Sequence, residues 1–176
     1  MQRMHVTAKS FRPIEPVEAD GPPTIFRLRG YQVQTLNRLY SAEGGPTSYR
    51  PHHVEEGCYF GIVEEGRLVA VAGTHSISPS SGVAVVGNVF THPQHRGQGH
   101  ATLATSVTTS ELLRNCPDVV LSVDPANRTA VSAYETLGYV KRGEIVEAAA
   151  RRRSGGFSFG LRRLLASLRG RGRGVQ

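Results

Sequence analysis

The sequence predicts an α/β (α+β) domain, a largely antiparallel sheet flanked by helices. Three observations carry this. Residues 59–63 and 68–75 alternate about the turn Glu64-Glu65-Gly66-Arg67, which is a hairpin pattern, and a β-branched strand follows at 83–90. A glycine-rich turn then opens a stretch from His100 to Arg114 that contains neither proline nor glycine. A second β-branched run at 119–123 leads into Ala130, Ala133, Tyr134 and Leu137, which recur at helical spacing until Gly138 stops them.

In chain order, residues 1–23 hold Pro13, Pro16 and Gly21-Pro22-Pro23 and read as an irregular arm or a short first strand. From Thr24 to Ala42 the residues Ile25, Leu28, Val33, Leu36, Leu39 and Tyr40 suggest a helix bent near Gly30, ending before Gly44-Gly45-Pro46. A short helix is expected from Pro51 to Glu56. After the hairpin, residues 77–82 connect to the strand at 83–90. The segment at 100–114 contains six Ser or Thr between Thr102 and Ser110, a poor helix composition on propensity alone. Asp124-Pro125 marks the start of the last helix, and 143–147 should return as a strand. The core domain is thus placed at 24–147.

The 176 residues suit one domain with a substantial core. Eight of the 21 basic residues lie in 151–176 with no acid among them, so residues 1–150 carry 13 basic against 14 acidic groups. The high pI belongs to the tail, 148–176. There Leu161, Leu164, Leu165 and Leu168 could form a short basic amphipathic helix before a Gly-Arg repeat. A solvated tail is the simplest reading; contact with nucleic acid, an anionic surface, the domain itself or a second subunit of a homodimer are the alternatives. Cys58 and Cys116 are too few for a disulfide framework, and no apolar run is long enough for a membrane span. A cytoplasmic setting is expected, with Cys58 a small buried hydrophobe.

The most informative stretch is Phe90-Thr91-His92-Pro93-Gln94-His95-Arg96-Gly97-Gln98-Gly99-His100-Ala101-Thr102. Glycines let a backbone approach a ligand, and the free N–H groups of a helix's first turn favour an anion. A Walker loop would need Lys and then Ser or Thr after the last glycine, where His100-Ala101 stands. A dinucleotide fingerprint would need Gly or Ala at position 102 and a turn directly after the strand.

Arg96-Gly97-Gln98-Gly99-His100-Ala101 instead resembles the Gln/Arg-x-x-Gly-x-Gly/Ala signature of the GNAT N-acetyltransferase superfamily. Downstream, Asn127, Ala130, Tyr134 and Gly138-Tyr139 resemble that family's Asn-x-x-Ala-x-x-x-Tyr-x-x-x-Gly-aromatic motif, with Asn127 and Tyr134 almost two turns apart on one helical stripe. The resemblance covers about residues 58 to 140. It implies a GNAT-like mixed, mostly antiparallel twisted sheet whose splayed central strands hold acyl-coenzyme A. It also implies acetyl-coenzyme A as co-substrate and direct transfer to an amine of a small molecule, amino acid or peptide. N–H groups of Gly97, Gln98, Gly99, His100, Ala101 and Thr102 would grip the pyrophosphate with help from Arg96. Val89, Phe90 and Thr91 would pair with the pantetheine arm, Asn127 would hydrogen-bond it, and Tyr134 would be the general acid. A strand N–H near Val89 or Phe90 would stabilise the oxyanion.

The base is not legible. Many relatives carry a strand glutamate, where this chain offers Asn88, Ser122 and Asp124; His75, Glu55, Glu56 or an ordered water are the alternatives. The missing carboxylate leaves room for a module that binds acyl-coenzyme A without turnover, as a sensor or adaptor. His92, His95 and His100 crowd the glycine turn, but no cysteine or paired acid completes a ligand set in the sequence, so no metal is expected.

Overall fold

The computed structural model describes residues 1–14 and 24–146. The basic tail and the segment 15–23 lie outside the described residues. Seven strands form one sheet: β1 (Gln2–Thr7), β2 (Thr24–Arg27), β3 (Phe60–Glu64), β4 (Arg67–Ser78), β5 (Val83–Thr91), β6 (Asp118–Val123) and β7 (Val140–Glu144). Their order is β2-β3-β4-β5-β6-β1-β7, and every neighbouring pair is antiparallel except β5 with β6. Among the described residues four α-helices accompany it: α1 (Val33–Ser41), α2 (Pro51–Glu55), α3 (His100–Leu112) and α4 (Arg128–Thr136). Residues Met1–Val146 cluster as one compact unit.

Two expectations change. Residues 24–27 are not the first turn of a bent helix but strand β2, paired antiparallel from Thr24 opposite Val63 to Arg27 opposite Phe60. Thr, Ile and Phe favour a pleated surface, and the partner edge of β3 decides between the two conformations. The N-terminal residues, open between arm and strand, form β1 and lie between β6 and β7. The returning strand also starts earlier, at Val140, directly after the αL turn at Gly138.

Alternation along the strands assigns the helices to faces. Val71 and Phe90 pack with Leu36, Leu39 and Tyr40 of α1 and Val54 of α2. Their sequence neighbours Ala70, Ala72 and Val89 point the other way, against Leu103 and Ala104 of α3. Tyr134 and Leu137 close the remaining core with Met4, Val6, Leu112, Val119 and Leu121.

Helix α3 shows how an unfavourable composition is carried. Eight of its residues are buried, Thr105, Ser106, Thr108 and Thr109 among them. Thr108 donates to its own helix at the Ala104 carbonyl (2.9 Å), Thr109 bonds the Tyr139 hydroxyl (2.7 Å), and Ser106 accepts from the Ile14 amide (3.0 Å). The Ser106 and Thr109 hydroxyls, which weaken an isolated helix, here meet polar groups from elsewhere in the chain, while Thr105 Oγ1 is buried without a partner among the described residues.

Four tyrosines are buried in these cores, and desolvation pushes each phenol upward, Tyr59 and Tyr134 to about 12 and Tyr40 and Tyr139 higher still. An unfolded tyrosine ionises near 10, whereas the folded groups stay neutral. Their contribution is therefore intact below pH 10 and lost as pH rises towards 12 and beyond. Far-ultraviolet dichroism against pH should stay flat to about pH 10 and then collapse together with a rise in tyrosinate absorbance.

Candidate active site

The parallel pair β5 and β6 is joined only at its start, Val83 with Asp118, Ala84 with Val119 and Val85 with Val120. Beyond Val85 no strand pairs with β5 on that side among the described residues. Val86 to Thr91 thus offer a backbone edge in the middle of the sheet, where unpaired N–H and C=O groups can be satisfied by another extended chain.

This stretch of β5 is also irregular. Gly73 lies opposite Gly87 and Val71 opposite Phe90, so three steps on β5 match two on β4, and Asn88 has φ +55. That is a bulge with its extra residue at 88–89. Asparagine tolerates the left-handed region better than most residues. Its side chain is fixed as well: Nδ2 donates to the Tyr59 hydroxyl (2.8 Å) and the Thr74 carbonyl (3.1 Å), and Tyr49 donates to Oδ1 (2.7 Å). Tyr40 donates to the Asn88 carbonyl (2.6 Å). Three tyrosines, two of them on or beside α1 and α2, thereby hold the bulge from the face that those helices cover.

Beside this network lies a pocket of about 500 Å³, lined by Tyr49, His53, Glu56, Tyr59, His75 and Asn88 among others. His75 occupies a second bulge, on β4 between Thr74 and Ser76. Its imidazole lies against the β5 backbone: a Cβ on Gly87 would stand 2.1 Å from its Cδ2 and Nε2. Of the candidate bases, Glu55 is engaged, accepting from the Gly30 amide at 2.6 Å, and Asp124 accepts from Ala126 at 2.9 Å. Ser122 does not line the pocket; His75 and Glu56 do.

At the far end of β5 the glycine turn is built as an anion cradle. After a 3-10 turn at Pro93–His95, Gly97 and Gly99 take φ +79 and +82, and Gly99 caps α3. The first helical bond runs from Leu103 to the Gly99 carbonyl. The six N–H groups from Gly97 to Thr102 have no acceptor among the described residues, and a helix N-terminus with free donors attracts negative charge. Arg96 turns back from this cradle. Its Nε donates to the Thr91 carbonyl (3.2 Å), its guanidinium pairs with Glu43, and it lies 5.8 Å from the centre of the Phe90 ring.

Asn127 caps α4, its Oδ1 accepting from the Ala130 amide at 3.1 Å. Tyr134 is 9% exposed, its ring 6.0 Å from that of Tyr139, and its hydroxyl has no partner among the described residues. It does not line the 500 Å³ pocket. Neither do Val89, Phe90 or Thr91; Asn88 is the one residue of the strand end that faces it.

A family model described as the acetyltransferase (GNAT) family matches residues 27–139, most of the described sheet and both flanking faces. The chain belongs to the GNAT acetyltransferase family. Solved structures agree on the fold. A GNAT-family structure from Novosphingobium aromaticivorans is 27% identical, with a TM-score of 0.61 over 80% of this chain and 59% of that one. A GNAT acetyltransferase from Colwellia psychrerythraea gives a TM-score of 0.64 at 18% identity over 80% of this chain and 52% of that one. A ribosomal-protein-alanine N-acetyltransferase from Brucella melitensis gives 0.55 at 18% identity, over 73% of this chain and 99% of that one. The chain thus spans between half and three fifths of the first two structures' length. No curated protein matches the sequence.

Set against the GNAT resemblance, the structure brings together parts the sequence could not. Tyr40, Tyr49 and Tyr59 follow no spacing rule, so their convergence on Asn88 was not visible, although a glycine inside a strand, Gly87, signals a bulge or a close approach. Glu64 was missed too. It ends β3 in sequence far from the glycine turn, yet its carboxylate bonds His95 Nδ1 (2.8 Å) and lies 2.9 Å from His100 Nε2, whose hydrogen bond is to Gln98 Oε1. The absence of a paired acid, which argued against a metal, is therefore overturned by the hairpin's geometry.

Proposed function

We propose that this chain transfers an acetyl group from acetyl-coenzyme A to an amine by direct attack, in the reducing cytoplasm suited to its two free buried cysteines. The observation that carries this is the parting of β5 and β6 beyond Val85, leading to six unpartnered N–H groups at the start of α3. The pyrophosphate of the co-substrate fits that cradle, since the ideal Cβ positions at Gly97 and Gly99 meet nothing within 4 Å and the space before them is open. The pantetheine arm would run along the free edge of Val89, Phe90 and Thr91, and Asn127 would offer it the amide donors that its capping bond leaves free.

The acceptor amine would enter the pocket beside Asn88. An amine of the lysine type, with pKa about 10.4, must lose a proton before it attacks. We assign that task to His75, held against β5 one step from the bulge, with Glu56 as the carboxylate of the same pocket. New C–N bond formation is matched by C–S cleavage, and Tyr134 supplies the proton that the departing thiolate takes. A phenol is protonated at neutral pH, and burial pushes this one further up, to about 12. The acceptor itself is not written in the fold: similar structures include the ribosomal-protein-alanine enzyme above and an aminoglycoside acetyltransferase from a soil metagenome. A peptide N-terminal amine and an aminoglycoside are therefore the first two acceptors to try.

Gly87→Ala tests the assignment of His75. Position 87 has no positive φ, so alanine suits the backbone, but its methyl must displace the imidazole. With any acceptor that supports thiol release, kcat should fall by about 10- to 100-fold while the acetyl-coenzyme A KM holds. An unchanged kcat removes His75 from the mechanism.

A further inference from the structure

We propose that Glu64, His95 and His100 form a binding site for one divalent transition-metal ion, with zinc the best match. The three residues come from the end of β3, the turn after β5 and the first position of α3, and their ligand atoms all lie within 4.8 Å of one another. The closest pairs are His95 Nδ1 to Glu64 Oε2 at 2.8 Å and His100 Nε2 to Glu64 Oε1 at 2.9 Å. Gln98 Oε1 stands 3.1 Å from the same His100 nitrogen. Donors around a tetrahedral zinc, bound at about 2.0–2.2 Å, are spaced about 3.3–3.5 Å apart, so small side-chain rotations convert the hydrogen-bonded cluster into a coordination shell.

The chemistry of the set favours zinc. Two imidazoles and one carboxylate are a known zinc combination, and the mixture of nitrogen and oxygen ligands is poorly suited to calcium or magnesium. A single ionised carboxylate gives the cluster the negative charge that a dication needs. Neither neighbouring arginine pairs with Glu64: Arg67, opposite it in the hairpin, makes no ion pair with it among the described residues, and Arg96 is drawn away to Glu43 and the Thr91 carbonyl. The His100 side chain is 7% exposed and turned towards Glu64, so it faces the protein interior and leaves the backbone N–H cradle of the glycine turn unobstructed. A metal here would clasp the end of β3 to the turn that precedes α3. This is a positioning role that needs no part of the acetyl-transfer reading.

The test uses the full chain without an affinity tag, stripped with chelator and dialysed against zinc, with bound metal counted by mass spectrometry. Wild type should retain one zinc per chain and show a higher melting temperature than the stripped protein. Glu64→Gln keeps the side chain's shape and should bind zinc at least about tenfold more weakly; His95→Gln, at a part-exposed position, serves if that variant does not fold. Cobalt should give a tetrahedral visible spectrum in wild type that both variants lose. A wild-type protein that retains no zinc overturns the proposal. So does zinc retained equally by the variants, which would place it at the chain's other histidines, such as His52 and His53.

Discussion

Gly138→Ala is expected to destabilise the fold by about 3 kcal/mol and lower Tm by roughly 6–12 °C. Two causes add. Gly138 has φ +86, in the left-handed region that costs an L-residue about 1–2 kcal/mol. A Cβ there would also stand 1.9 Å from the Ser10 carbonyl oxygen, and that oxygen belongs to backbone and cannot swing aside. The segment after β1 crosses the end of α4 at this point, with the Arg12 amide bonding the Leu137 carbonyl at 3.0 Å. Gly66→Ala is the control, because Gly66 has φ +74 but open space around its Cβ position. Thermal melts should show only the conformational penalty at Gly66 and clearly more at Gly138; equal losses would show that the contact with Ser10 carries nothing.

Tyr134→Phe is expected to lower kcat by about 100-fold or more with little change in stability or in the acetyl-coenzyme A KM. The phenol makes no hydrogen bond among the described residues, so its loss leaves no partner stranded, and the ring keeps its packing in the core with Leu137 and Tyr139. Its oxygen is not one of the buried polar atoms left without a partner among the described residues, so it reaches the surface of the core, where a phenol can meet a reactant. Thiol release with a working acceptor reads the effect. A variant as fast as wild type would move the general acid elsewhere. Binding of acetyl-coenzyme A without thiol release on any amine, by wild type and variant alike, would turn the reading towards a sensor.

What the sequence made legible follows from how local each signal is. The hairpin at β3 and β4, strands β5 and β6, and helix α4 were visible because alternation, helical spacing and the stop at Gly138 act within a few residues. Helix α3 was legible only through the family resemblance, since its Thr and Ser are justified by partners in Ile14 and Tyr139 that lie far along the chain. Strand β2 was misread because Ile25 and Leu28, three apart, fit the helical period, whereas pairing with the edge of β3 decides for strand. In the site, the glycine turn and Asn127 with Tyr134 were readable as motifs. The Asn88 network, the seat of His75 on Gly87 and the meeting of Glu64 with two histidines depend on bulges and on the register of the sheet, which no spacing in the sequence encodes.

If the turn at the start of α3 holds the pyrophosphate of acetyl-coenzyme A, negative charge added in front of it must weaken binding. Calorimetric titration of wild type and Gly99→Glu with acetyl-coenzyme A tests it most directly. The added carboxylate enters open space in front of six unpartnered N–H groups and should compete with a phosphate for them. A loss of affinity of at least about tenfold is expected, with the variant still folding cooperatively and a short acetyl thioester lacking the pyrophosphate binding both proteins equally. Unchanged affinity for acetyl-coenzyme A in a folded Gly99→Glu variant would contradict it.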